Sequence, residues 1–98
     1  MSKQNARREL EVPPIATSES DAVEAVRVWA SPSHSQQVTL RTTWNDPGAW
    51  GLMLADIARH AVKAYTNEGR DPAEVLARIR EMFEAEFANP TDTPIQLN

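Results

Sequence analysis

Apolar and polar positions alternate in two short stretches of the chain and then settle into a helical period in two longer ones. Residues 25–30, AVRVWA, and residues 37–44, QVTLRTTW, alternate and are rich in β-branched and aromatic side chains, which predicts two strands. The intervening SPSHSQ reads as a loop, making the pair an antiparallel hairpin. A one-residue slip moves every side chain of a strand to the other face. Val26 and Val28 therefore share a face with Val38 and Leu40 only if paired positions differ by an even number. The same register gathers Arg27, Trp29, Thr39, Arg41 and Thr43 on the opposite face.

Both helices are marked by punctuation as well as by period. Asp46 stands at the N-cap of the first and Pro47 at its first position, where a missing N–H costs nothing. The helix should run to about Asn67, with Gly69 as the stop. At 100° per residue, Trp50, Met53, Leu54, Ile57, Ala61 and Tyr65 fall on one arc, together with Ala58, Val62 and Ala64. Asp56, Arg59, His60 and Lys63 fall on the other. Leu52 breaks the pattern by lying among these polar residues, which marks it as an interface candidate. In the second helix Asp71 caps, Pro72 starts and Glu74 occupies the capping-box position, with an end before Pro90. Its stripe is Val75, Leu76, Ile79, Met82, Phe83 and Phe87. Glu86 intrudes on that stripe, so it must either reach solvent from the last turn or pair with Arg27 or Arg41.

These elements predict an α+β domain in ββαα order, an antiparallel hairpin packed on two α-helices. A third strand from Glu9 to Val12 is an option, because two strands alone make a marginal sheet. The polar, proline-interrupted ends divide the chain into a flexible segment at 1–21, a single domain at 22–89 and an extended tail at 90–98.

Composition narrows the chemistry. The 98 residues include no cysteine, so disulfides, thiolate metal sites and a cysteine nucleophile are all excluded. Acidic residues outnumber basic ones 14 to 10, which argues against a general nucleic-acid binder. Arg27 and Arg41 with Trp29 as a stacking ring would be the route if there were one. Lys3, Arg7 and Arg8 near the start are not followed by an apolar run, and no stretch approaches the roughly 20 residues that span a bilayer. The expectation is a soluble cytoplasmic protein.

Candidate catalytic and metal groups are sparse. His60 and His34 lack the further convergent ligands that a metal needs. Ser31, Ser33 and Ser35 sit in a loop without a nucleophile motif, and Asp56, Arg59 and His60 at i, i+3 and i, i+4 spacings are what a solvated helix face displays. The first helix's N-terminus is already occupied by the carboxylate of Asp46, which would repel a phosphate. No cofactor is implied, and the balance leans away from an enzyme.

The segment VRVWA, the second strand and WNDPGAWGLMLADIARHAVKAY together resemble an uncharacterised bacterial family, domain of unknown function 5076, over about residues 23–89. DPGAWGLMLADIARH carries most of the likeness, with an Asp-Pro start, an Ala-Trp-Gly step and an Ala-Arg-His close. The resemblance implies a single small domain in a bacterial cytoplasm and assigns no activity, cofactor or site residue.

Two functional expectations follow. The first is a protein-interaction or regulatory module that joins a protein partner, foremost its own copy as a homodimer, through Arg27, Trp29, Arg41 and Leu52. The alternative is a small-ligand or enzymatic domain using His60, Asp56 and Arg59 beside Trp44 or Trp50. Against a free surface stands the option that the N-terminal segment covers Trp29, with arginine stems over its ring.

Overall fold

The computed structural model describes residues 8–91 and the backbone of residues 95–96. In chain order it comprises α1 (Ile15–Ser18), β1 (Val26–Ser31), β2 (His34–Leu40), α2 (Gly48–Asn67), α3 (Pro72–Ala88) and β3 (Ile95–Gln96). The fold is α+β, and its main elements follow the ββαα order. Residues 1–7 of the segment expected to be flexible lie outside the described residues. Within the rest of it, α1 is a single turn, closed by Thr17 and Ser18 N–H groups donating to the Pro14 carbonyl.

The hairpin has the even register that the alternation requires. Val26 faces Leu40, Arg27 faces Thr39, Val28 faces Val38 and Trp29 faces Gln37, so the four aliphatic residues share one face. Its connection is tighter than the loop read from SPSHSQ. Pairing resumes at Ser31 and His34 after a bulge, leaving Pro32 and Ser33 as the turn. Residues 34–36 escape the strand pattern because they are polar on both faces, yet backbone ladders need no apolar side chain. The far end of the second expected strand is lost for a different reason. Thr43 has φ +65°, a left-handed conformation that no strand accommodates, and its hydroxyl donates to the Arg41 carbonyl. The third strand is not Glu9–Val12, which stays irregular. It is β3, which pairs in parallel with β2 at Gln37–Ile95 and Val38–Gln96.

α2 begins one residue later than its punctuation suggests, at Gly48, with the Asp46 carboxylate accepting from the Gly48 N–H at 2.9 Å. Trp50 fixes the entry: its indole N–H donates to the Thr42 carbonyl at 2.9 Å, and Trp44 meets its ring edge-on at 5.6 Å. At the other end Gly69 has φ +99°. It donates to the Thr66 carbonyl while Arg70 donates to that of Tyr65, the paired bonds of a Schellman stop. Asp71 then caps α3 by accepting from the Glu74 N–H at 2.9 Å. The short connection returns α3 along α2, and the two helices pack on one another.

The layers, however, stand apart. Among the described residues no strand Cα lies within 8 Å of a helical Cα, so the hairpin and the helix pair of this α+β fold are not closely packed on one another. The physical reason is visible in the burial. Val75, in the first turn of α3, is the one buried apolar residue among those described. A compact monomer of 10.9 kDa exposes about 5,600 Å², whereas this chain exposes 8733 Å². Its radius of gyration, 15.6 Å, also exceeds the roughly 12.6 Å of a compact chain of this length.

Candidate functional site

Alternation along the two strands brings Arg27, Trp29 and Arg41 to one face of the sheet. Leu52 lies elsewhere, on the first turns of α2. Arg27 is held by three oxygen contacts: two from the Glu24 carboxylate and one from Glu9, which reaches in from the N-terminal segment. The hydrogen bonds to Glu24 and then Glu9, with their negative charge, raise the Arg27 pKa above the ordinary arginine value. Arg41 donates through Nε to the Glu24 carbonyl at 3.1 Å. An open cleft of about 340 Å³ lies between these groups and Val26, Thr39 and Leu40. Its main cation is thus already matched by two carboxylates, which makes it a poor receptor for phosphate.

Trp29 and Leu52 are the open apolar members of the predicted surface. Trp29 is 41% exposed and Leu52 77%. The described part of the N-terminal segment ties to Arg27 through Glu9. Among the described residues the guanidinium that lies over a ring is that of Arg70, 5.3 Å from the centre of Tyr65.

The polar arc of α2 holds one ion pair, His60 to Asp56 at 3.4 Å, on side chains 78% and 66% exposed. An i, i+4 pair in solvent contributes tenths of a kcal/mol. His34 sits beside the hairpin turn, 3.3 Å from the Ser33 hydroxyl, which is itself 3.2 Å from that of Ser31. Among the described residues no three His, Asp or Glu side chains converge as metal ligands would.

The surface that sequence reasoning missed is on α3. Phe83 and Phe87 were assigned to the core stripe, but they stand 50% and 75% exposed, with rings 4.9 Å apart. Together with Ile79, Met82 and Pro90 they line an open, mainly apolar groove of about 850 Å³. Gln36 of β2 borders it, the hairpin's polar reach toward the helices. Glu86, the misfit of the stripe, lies at the groove's edge. Its carboxylate accepts from the Thr91 N–H at 2.7 Å and from the Thr91 hydroxyl, which keeps it hydrogen-bonded at the end of the helix. The available signal was quantitative: two apolar helix stripes offer more surface than one short hairpin can cover.

The fold and these open faces define a small α+β domain whose apolar layers are left uncovered. The chain belongs to the family described as Domain of unknown function (DUF5076), which matches residues 9–91. A solved structure from the photosynthetic bacterium Rhodopseudomonas palustrus CGA009, provisionally named a pyruvate dehydrogenase, is similar to it. The two share 36% identity over 92% of this chain and 93% of that one, with a TM-score of 0.74. No curated protein matches the chain. Among the described residues, no helix is long and apolar enough to cross a membrane.

Proposed function

We propose that this protein is an interaction module that works by self-association, using the open faces of its hairpin and helix pair. One observation carries the reading. Among the described residues the sheet and the helices are not closely packed on one another, which leaves apolar surface of the helix pair and of Val28 for another polypeptide. Trp29 and Leu52 lie outside that core surface and extend what a partner could touch.

The alternative site at His60, Asp56 and Arg59 draws no support from the geometry, since the His60–Asp56 pair is solvated on an outer helix face. Nor does the name carried by the related structure find a chemical foothold. The groove on α3 is lined mainly by hydrocarbon, and its carboxylate, Glu86, is engaged by Thr91.

Mixing two differently tagged copies of the full chain tests the reading. At roughly micromolar concentration, well above the dissociation constant of a stable dimer, each tag is expected to retain the other. Copies that never co-purify, either when co-expressed or when refolded together, would end it.

A further inference from the structure

We infer that the occupant of the α3 groove is the sheet of a second copy of this chain, the aliphatic face of one protomer's hairpin lying on the helices of its partner. This inference rests on the self-association reading and specifies its geometry.

The first argument is complementarity of what is left open. Val28, 56% exposed, and the half-buried Val26, Val38 and Leu40 form an aliphatic sheet face on which no helix among the described residues packs closely. Ile79, Met82, Phe83 and Phe87 form a helical layer that needs a sheet. Each chain carries one of each, and within the described chain the two do not meet. A two-fold dimer satisfies both at once, because a contact from the first protomer's sheet to the second's helices is repeated in reverse by symmetry. A foreign partner would have to supply both missing layers.

The second argument is area. The chain exposes 8733 Å², about 3,100 Å² more than a compact monomer of its mass. Obligate homodimers bury roughly 2,000 to 5,000 Å² in total, or about 1,000 to 2,500 Å² from each protomer. The excess, part of which belongs to residues outside the hairpin and the two long helices, is larger than one protomer's share of such an interface.

The third argument is what borders the groove now. Apart from α3 and the residues just after it, the described residue that lines it is Gln36, at the polar end of β2. The aliphatic positions lie further along the strand, near its junction with α2, and their own helices do not receive them.

The test uses the unmodified chain. One preparation carries isotope labels on valine and leucine methyl groups and the other is labelled on phenylalanine rings. After the two are mixed through denaturant and refolded, a dimer is expected by light scattering. Nuclear Overhauser contacts should join the methyls of Val28, Val38 or Leu40 to the rings of Phe83 or Phe87 between differently labelled chains. A Phe83→Glu variant that keeps its helical circular dichroism is expected to dimerise at least ten-fold more weakly. A dimer without those interchain contacts overturns this geometry and leaves self-association standing. A monomer at all concentrations overturns both.

Discussion

Val28 stands directly opposite Val38 across the hairpin, and among the described residues no helix has a Cα within 8 Å of either. Such an aliphatic pair ordinarily sits beneath a helical layer, and here Val28 is 56% exposed. The hairpin has the pattern of a buried sheet without a covering of its own. Substituting Val38 by Thr keeps the β-branched shape and adds a hydroxyl. In the proposed dimer it should cost about 1 kcal/mol or more of stability in urea denaturation. If the face is solvent-exposed in solution, the change will be close to neutral.

The two apolar surfaces of the helices should respond differently to truncation. Phe83→Ala removes a ring from the proposed interface and is expected to cost about 3 kcal/mol of dimer stability. Leu52→Ala, on the polar arc of α2, should cost well under 1 kcal/mol unless this residue also meets a partner. Denaturation at two protein concentrations checks both, because a dimer's midpoint rises with concentration and a monomer's does not.

The connection between the helices is a local device whose strength can be read separately. Asp71→Ala removes the acceptor for the Glu74 N–H and should destabilise by about 1 kcal/mol. Gly69→Ala places a Cβ where there is open space, so its cost is conformational: φ +99° is a region L-residues rarely occupy, and about 1 kcal/mol or more should be lost. Gly69→Asn should recover part of that loss. Urea midpoints in a background of fixed protein concentration measure all three.

Arg27 joins the N-terminal segment to the hairpin through Glu9 and Glu24. Its pKa is raised above an already high value, so the stabilising charge is fully present below the unfolded arginine pKa and would be lost only as pH rises through the folded one. Titration of Arg27 therefore contributes no slope to stability between roughly pH 5 and 9. Arg27→Met should lower the melting temperature slightly at low salt, and the difference should shrink in about 1 M NaCl as screening removes the ion pairs. An equal difference at both salt concentrations would assign the effect to packing of the arginine stem.

His60→Gln should leave stability within a few tenths of a kcal/mol and leave self-association unchanged, since its partner Asp56 is equally solvated. A large change in either, followed by chemical denaturation and light scattering, would reinstate the helix-face site.

Much of the fold was legible because its signals are local. The even register followed from four aliphatic residues, the α3 cap from Asp71 and Pro72, and the α2 stop from Gly69. Three features were not legible for physical reasons. Polar residues 34–36 form a strand by backbone pairing alone, Thr43 adopts a left-handed turn that its β-branched side chain disfavours, and β3 pairs across a long sequence separation. For the candidate surface, alternation puts Arg27 and Trp29 on one face of β1 and Arg41 follows the end of β2, but periodicity cannot tell a stripe that meets its own chain from one that waits for another. Phe83 and Phe87 therefore read as core.

The account's central claim is that this chain completes its core with a second copy. Size-exclusion chromatography with light scattering on the full chain, across a dilution series, tests it most directly. The predicted result is a mass of roughly 22 kDa, twice the 10.9 kDa chain, persisting to micromolar concentration. A constant 10.9 kDa at every concentration would contradict it.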